Sequence, residues 1–475
     1  MNPTMELPRT VKKWNYLTIA ILSTCVLLLL FVLMGLVMPM LFTKFLKSQI
    51  NLTPKSDVRE LYEKVPFFIN FRIYLFNCTN PDEVTRGGKP RLVEIGPYFF
   101  EEWKVKYDLI DDIQEDTLTY NYKNTFIFRP DLSGPGLSGE EVITMPHPLT
   151  TTMLMSLMVD KQPMVPMATA AIDQIFHEPK DMFWTGKIMD VLFRGIPVDC
   201  SNTEQFQAKA VCGLFESGEV KAVQKHNDTH FMFSLFQSIN ATDLGQFMVF
   251  RGKKNTPDMG RVAAFNGEPE MDVWDGDECN QYVGTDSTIF PPFLNQDDGI
   301  WAYEPSICRS LYGHYVGKSK YMGLKTSEFA INISSELNTK ECFCRDPPDE
   351  CPKKGTFDLF PCTGAAMFGS QPHFYGADPA LRANFASGIE PSKDKHAIFM
   401  HFEMLTGTPV YAAKRLQFNL EMVPIEDVPY LTDIREMYYP LFWVEEGAAL
   451  DEDFVKQIKP VPMVYKIFKI LKWTG

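Results

Sequence analysis

The chain has 475 residues, 45% of them hydrophobic, and a formal net charge of −14. That acidity argues against a nucleic-acid surface, and the length supports far more than a minimal core. That length could build one large domain or two or three smaller ones; with no Pro/Gly/Ser linker, low-complexity block or internal repeat, one continuous ectodomain is favoured.

The first predicted element decides how the rest is read. Trp14 to Thr43 carries no charged residue, and Leu17 to Met38 is apolar almost throughout. A helix needs roughly 20 such residues to cross a bilayer core of about 30 Å. A removable signal peptide has a shorter apolar region, roughly 7–15 residues, and a small-residue cleavage site. This run is longer and ends in Val37-Met38-Pro39-Met40, so it reads as an uncleaved signal anchor. The expected layout is a tail over 1–13, a transmembrane span over 14–40 and one ectodomain over 41–455. Basic residues flank the span on both sides (Arg9, Lys12 and Lys13; Lys44 and Lys47), so their count alone does not set orientation. Five N-x-[ST] sequons follow the span, at Asn51, Asn77, Asn227, Asn240 and Asn332, together with nine of the ten cysteines. They point to an oxidising, glycosylating compartment, which makes residues 1–13 cytoplasmic.

After the anchor, Phe67–Phe76, Arg91–Ile110 and Thr117–Phe128 are rich in aromatic and β-branched residues and predict strands. Gly87-Gly88-Lys89-Pro90 and Gly134-Pro135-Gly136 predict turns. From Pro148 the spacing becomes helical. Helices are expected over Thr150–Asp160, Ala168–His177 and Trp184–Phe193, cut short by Pro163, Pro166, Pro179 and Pro197. Eight of the 24 methionines fall between Met145 and Met189. Methionine is flexible and polarizable, so this segment is either the core of a small bundle or an adaptable apolar binding surface. Strands return at Phe231–Phe236, Phe247–Arg251, Arg261–Phe265 and Lys414–Val423. The reading is a β-rich body with a helical insertion near 148–215. From Lys456 onward every charge is positive, and VYKIFKILKW alternates lysine with apolar pairs. Residues 456–475 therefore read as a membrane-proximal segment or as an amphipathic surface helix.

Catalytic signatures are weak. Gly134-Pro135-Gly136-Leu137-Ser138-Gly139 fits G-x-G-x-x-G, but proline sits inside it and Glu140-Glu141 would oppose a pyrophosphate. No nucleophile elbow, zinc-protease helix or phosphate loop is present, and the eight histidines are scattered. Asp297-Asp298 reads as a solvated turn. No cofactor, metal or enzymatic activity is expected. Six cysteines lie in one third of the chain: Cys279, Cys308, Cys342, Cys344, Cys351 and Cys362. Behind a signal anchor they favour disulfides over zinc, and spacing alone leaves 15 pairings open. Each bridge would contribute about 2–4 kcal/mol by restricting the unfolded chain. Cys200 and Cys212 form a further close pair.

Longer motifs carry a resemblance. Asn77-Cys-Thr-Asn-Pro81, Glu94-Ile-Gly-Pro-Tyr98, Ile307-Cys-Arg-Ser310, Pro372-His-Phe374, Ala413-Lys-Arg-Leu-Gln417 and the cysteine cluster resemble the class B scavenger receptor family. Gly139-Glu-Glu141, Pro146-His-Pro148, Leu192–Cys200, Gly284–Pro292 and Leu441–Gly447 are similar to its sensory neuron membrane protein branch. The resemblance implies an α+β membrane-anchored ectodomain, built on an antiparallel β-barrel with a helical bundle at the membrane-distal apex and an internal hydrophobic tunnel. It implies the bridges Cys279–Cys342, Cys308–Cys362 and Cys344–Cys351. It also implies a second membrane span, which these 475 residues do not contain, as in a truncated chain. Apex residues Met153, Leu157, Met158, Lys180, Met182 and Phe183 are its candidate ligand contacts, with Lys180 either a head-group contact or a solvated charge. The implied function is non-enzymatic capture of hydrophobic odorants, such as fatty-acid-derived pheromones, and their transfer to an odorant receptor channel in the membrane of a sensory neuron dendrite. A general scavenger of lipids or lipoproteins and an adhesion or scaffolding protein are the rivals.

Overall fold

The computed structural model describes residues 16–54, 56–201, 203–335, 339–345 and 351–473. The expected tail, Trp14 and Thr474-Gly475 lie outside the described residues. The described residues fall into two compact units, one made of those up to Ile50 with those from Glu452 onward and the other of those between Asn51 and Asp451.

In the first unit, Tyr16–Val32 and Met38–Gln49 are α-helical, joined by a π-turn at Leu33–Val37. Pro39 accounts for the turn: it has no amide hydrogen, so the regular ladder relaxes just before it. Thr43 Oγ1 donates to the Pro39 carbonyl at 2.8 Å. Thr18–Gln49 is long and apolar enough to cross a membrane. Glu452–Ile458 and Pro460–Trp473 are also helical, and the Tyr465 ring lies 6.5 Å from Phe42.

The second unit is built on one large antiparallel sheet. Its long strands are β1 (Ile69–Cys78), β2 (Leu92–Asp112), β3 (Thr117–Phe128), β4 (Gln246–Phe250), β5 (Val262–Phe265) and β6 (Ile300–Glu304). They continue as β7 (Arg309–Tyr321), β8 (Leu324–Ile331), β9 (Ile398–Glu403), β10 (Thr408–Met422) and β11 (Met437–Ala449). The order in space is β5-β4-β3-β2-β1-β11-β10-β9-β8-β7-β6. Neighbours in this order pair antiparallel, and the first strand meets the last: Asn70 lies opposite Gly447 and Leu75 opposite Phe442.

The sheet nearly closes into a barrel through Gly284-Thr285-Asp286. Val262 N donates to Gly284 O at 3.0 Å on the β5 side. Thr285 N donates to Trp301 O at 3.1 Å, and Tyr303 N donates to Thr285 O at 2.8 Å, on the β6 side. One short extended segment thus satisfies both sheet edges, which would otherwise stay unpaired. Gly284 has φ +90°, and a Cβ there would fall 2.1 Å from Trp301 O, so only glycine fits.

Thr150–Asp160, Val165–Ile175 and Phe206–Ser217 are helices of one group beside the sheet. Ala168, Ala171, Ile172 and Ile175 form the buried face of the middle one. The helix expected over Trp184–Phe193 forms only from Ile188 onward, and there as a π-helical turn. Phe183–Lys187 is instead a strand paired with Val142–Pro146, and Asp190–Arg194 is a π-turn. Aromatic and β-branched residues at 183–185 found a pairing partner, and pairing outweighed helical spacing. The strand expected at Phe231–Phe236 is His230–Phe233, the centre of a three-stranded sheet with Ile196–Asp199 and Val223–Lys225.

Four disulfides staple the unit: Cys279–Cys342, Cys308–Cys362, Cys344–Cys351 and Cys200–Cys212. The first two close loops of 63 and 54 residues, where a bridge restricts the unfolded chain most. Among the described residues Cys25 and Cys78 are free; burial raises the Cys78 pKa and keeps it an unreactive thiol.

Candidate functional site

The Met-rich segment serves first as core. Met145, Met155, Met182 and Met189 are buried with Leu154, Ile172 and Ile188 in a cluster that runs on into Phe71, Phe100 and Phe442 of the sheet. Met153, Leu157, Met158 and Phe183 are partly buried and pack on that cluster, so one side of each remains available. Met182 is inside, while Lys180 is exposed on the connection that follows the second helix. The six expected contacts therefore differ in exposure, from buried Met182 to exposed Lys180.

The barrel interior is layered, because alternate residues of β2 and β3 point inward. Nearest the helices is an aromatic layer. Phe126 lies 4.9 Å from Phe71 and 6.2 Å from Phe193, and Phe236 lies 5.6 Å from Phe442. The next layer is charged. Lys104 Nζ is 2.8 Å from Glu446 and 3.4 Å from Glu102; Lys414 Nζ is 3.2 Å from both Glu446 and Glu304. Burial would raise the Glu446 pKa, but Lys104 and Lys414 outweigh it and hold the carboxyl at about 2. Glu102 is different. Burial dominates and pushes it up to about 7. Its Oε1 accepts from Asn124 Nδ2 at 2.9 Å, while Glu102 Oε2 and Asn124 Oδ1 are buried without a partner. A proton on Glu102 removes the charge from a buried carboxyl oxygen that has no donor facing it. It also removes one negative charge from the layer in which Lys104 and Lys414 face Glu446.

Beyond lies a tyrosine–aspartate layer. Tyr62 Oη and Tyr120 Oη both donate to Asp286 Oδ2, at 2.6 and 2.5 Å. Lys106 Nζ is 3.7 Å from that oxygen and 3.7 Å above the Tyr62 ring. Burial pushes Lys106 down to about 8. Burial would raise Asp286, but Lys106 and the two hydroxyls hold it below the usual carboxylate range.

At the surface, a cleft of about 420 Å³ opens beside Phe193 and Met232. Among the described residues no group of three or more His, Cys, Asp or Glu is placed to hold a metal ion.

The CD36 family pattern matches residues 20–475. The chain belongs to the CD36 family. The sensory neuron membrane protein 1 of Anopheles gambiae is 47% identical over 472 residues, 98% of this chain and 85% of that protein. That of Aedes aegypti is 52% identical over 414 residues, 87% and 76%. That of Manduca sexta is 42% identical over 447 residues, 93% and 85%.

In this CD36-family chain the resemblance-bearing motifs build structure. Glu94 Oε2 accepts from His373 Nε2 and from Trp443 Nε1, both at 2.7 Å. His373 Nδ1 accepts from Glu390 N at 3.0 Å, which assigns the proton to Nε2. The motifs at 94–98, 372–374 and 441–447 thus meet across β1, β2 and β11. The Gly134–Gly139 loop is equally accounted for. Glu141 accepts from Ser138 N, Ser138 Oγ and Gly139 N at 2.7–2.8 Å, and Tyr98 Oη donates to it at 3.0 Å. The loop's donors are filled by its own carboxylate, which leaves no cradle for a phosphate.

The sequons differ in exposure. Asn227 and Asn332 are exposed, Asn77 and Asn240 are half-buried, and Asn51 is fully buried with Oδ1 accepting from Thr53 N at 3.0 Å. Asn77 Oδ1 accepts from Thr144 N and Asn240 Oδ1 from Phe126 N. Peptide mapping with glycosidase treatment is expected to find glycans at Asn227 and Asn332 and none at Asn51, where a sugar has no room in this fold.

Proposed function

We propose that the chain is a non-enzymatic membrane receptor that captures hydrophobic odorants, fatty-acid-derived pheromones among them. It passes them through its body to an odorant receptor channel in the membrane of an olfactory sensory neuron. Membership of the CD36 family, with relatives named sensory neuron membrane protein 1 at 42–52% identity, supports a membrane receptor in olfaction or lipid handling. One structural observation carries the finer reading: a single apolar cluster runs without interruption from the partly open Met153, Leu157, Met158 and Phe183 into the aromatic layer of the barrel. An alkyl chain following it gains about 0.8 kcal/mol per buried CH₂ before costs, so binding needs few polar contacts.

The test is displacement of a fluorescent fatty probe from the full chain in lipid nanodiscs, by alcohols, acetates, aldehydes and acids of one length. Saturable displacement by the neutral compounds is expected. Met158→Glu or Phe183→Glu should weaken it about tenfold in protein whose circular dichroism is unchanged. Unchanged affinity in the folded variants removes these two residues from the route. A general preference for acids, with antibody labelling outside sensory neurons, would favour a lipid scavenger. Tight binding to a partner ectodomain without saturable lipid binding would leave an adhesion or scaffolding protein.

A further inference from the structure

We propose that the tip of the β7–β8 hairpin rests on the bilayer, with Lys318, Lys320 and Lys325 binding lipid phosphates and Met322 entering the interface. This goes beyond ligand handling and rests only on the membrane anchoring of the chain.

The outer face of the hairpin carries two chemistries. Alternation along β7 puts Val316, Lys318 and Lys320 on one exposed face, which Met322 continues, while Gly317, Ser319 and Tyr321 are half-buried. Apolar residues stand at both ends of that face and lysines between them. From Val316 to Lys325 there is no acidic residue, although the chain as a whole carries −14. Lys320 lies directly opposite Lys325 in the ladder, and both are exposed. Like charges so placed destabilise a sheet. Among the described residues no carboxylate pairs with any of the three lysines. Phosphates shared between them would remove the repulsion. The turn itself is Met322-Gly323, with φ of +44° and +79°. Two-residue turns of this kind normally take asparagine, aspartate or glycine. Methionine is strained there, yet it stands exposed at the tip, where a long apolar side chain is unfavourable in water and favourable in a membrane interface.

Strand topology and chain continuity choose the bilayer as the occupant. β8 pairs with β9 only as far as Ser327, opposite Phe402. Beyond that pair the hairpin runs on through Thr326, Lys325 and Leu324, about 10 Å at strand spacing. It does so at the end of the barrel where β9 ends, β10 begins and β11 ends. Tyr321 stacks on Tyr411 at 5.6 Å and donates its hydroxyl to Leu450 O at 2.9 Å. Leu450 directly follows β11, and Glu452 opens the helices grouped in one unit with the membrane-long Thr18–Gln49 run. The hairpin is thus tied to the last residues of the barrel before the chain turns to the membrane. Tyrosines, lysines and an apolar tip are the composition of an interfacial contact, and each lysine near an anionic surface adds attraction.

The experiment uses the full chain with Cys25→Ser in nanodiscs, carrying Met322→Cys labelled with acrylodan. The discs contain phosphatidylcholine spin-labelled on its head group. The dye at 322 should be quenched, while the same dye on Val142→Cys, exposed on a strand outside the barrel sheet, should not. Replacing about 30% of the lipid with phosphatidylserine should deepen the quenching roughly twofold, and Lys318→Gln with Lys320→Gln and Lys325→Gln should abolish that gain. Should Met322→Cys not fold, Val316→Cys at the other end of the face gives the same reading. Equal, weak quenching at 322 and 142 would overturn the proposal. So would a dye shielded only in discs that hold two chains, which would assign the face to a second copy. Quenching that ignores both phosphatidylserine and the glutamine substitutions would overturn the assignment of the lysines to phosphates.

Discussion

Asp286→Ala is expected to destabilise the ectodomain by about 3–5 kcal/mol, the usual consequence of removing one partner from a buried ionic cluster. Asp286 is inside the barrel and accepts four hydrogen bonds besides facing Lys106: from Tyr62 Oη, Tyr120 Oη, Thr288 N and Thr288 Oγ1. Its backbone belongs to the Gly284–Asp286 segment that joins β5 to β6, so the side chain anchors the closing segment to β2, β3 and the helix at Asp57–Glu63. Without it, two hydroxyls and a lysine lose a shared acceptor in a place water reaches poorly. Asp286→Asn keeps the shape and an acceptor oxygen but leaves Lys106 without its counter-charge, and should cost less. Chemical denaturation of the full chain in detergent, with the bridges intact, measures both. A loss below about 1 kcal/mol for Asp286→Ala would mean that the backbone pairing holds the barrel closed without its anchor.

Glu102→Gln should act in the opposite direction, and only at higher pH. The folded-state value of about 7 lies above the ordinary glutamate value of about 4.3. A group raised in this way contributes stability that is fully present below about pH 4.3 and is lost as pH rises through about 7. At 1.36 kcal/mol per pH unit, the loss is about 4 kcal/mol by pH 8. Glutamine copies the protonated acid and cannot ionise. The variant should match the native chain near pH 4 and exceed it by up to about 4 kcal/mol at pH 8. Unfolding midpoints across that interval test this, and parallel pH curves for the two proteins would show that folding does not raise the Glu102 value.

Both residues show where the sequence was legible and where it was not. Thr117–Phe128 reads as a strand from its aromatic and β-branched content and is one over that full span; Thr150–Asp160 reads as a helix and is one. These elements have one buried side, and period reports it. On β2, Glu102, Lys104 and Lys106 alternate with Trp103, Val105 and Tyr107, a pattern that ordinarily puts the charges in solvent. The barrel reverses it, because the charges compensate one another across strands far apart in sequence. Arg309–Tyr321 was equally hidden: Gly313 and Gly317 interrupt its pattern, and its strand character comes from β6 and β8 on either side. The π-turn under Phe193 had no local signal. The Gly284–Pro292 motif was readable only as a family mark, although its first three residues complete the barrel.

The pairing of β1 with β11 has a consequence for how the protein is made. Arg72 and Glu445, salt-bridged at 2.6 Å, are 373 positions apart in the chain. At synthesis rates of roughly 5–20 residues per second, β1 waits between about 20 and 75 seconds for its partner to be translated. During that interval one edge of β1 carries unpaired amides and carbonyls, the kind of edge that recruits other chains. A message interrupted before codon 437 yields a chain whose first strand can never be covered, and quality control should remove it.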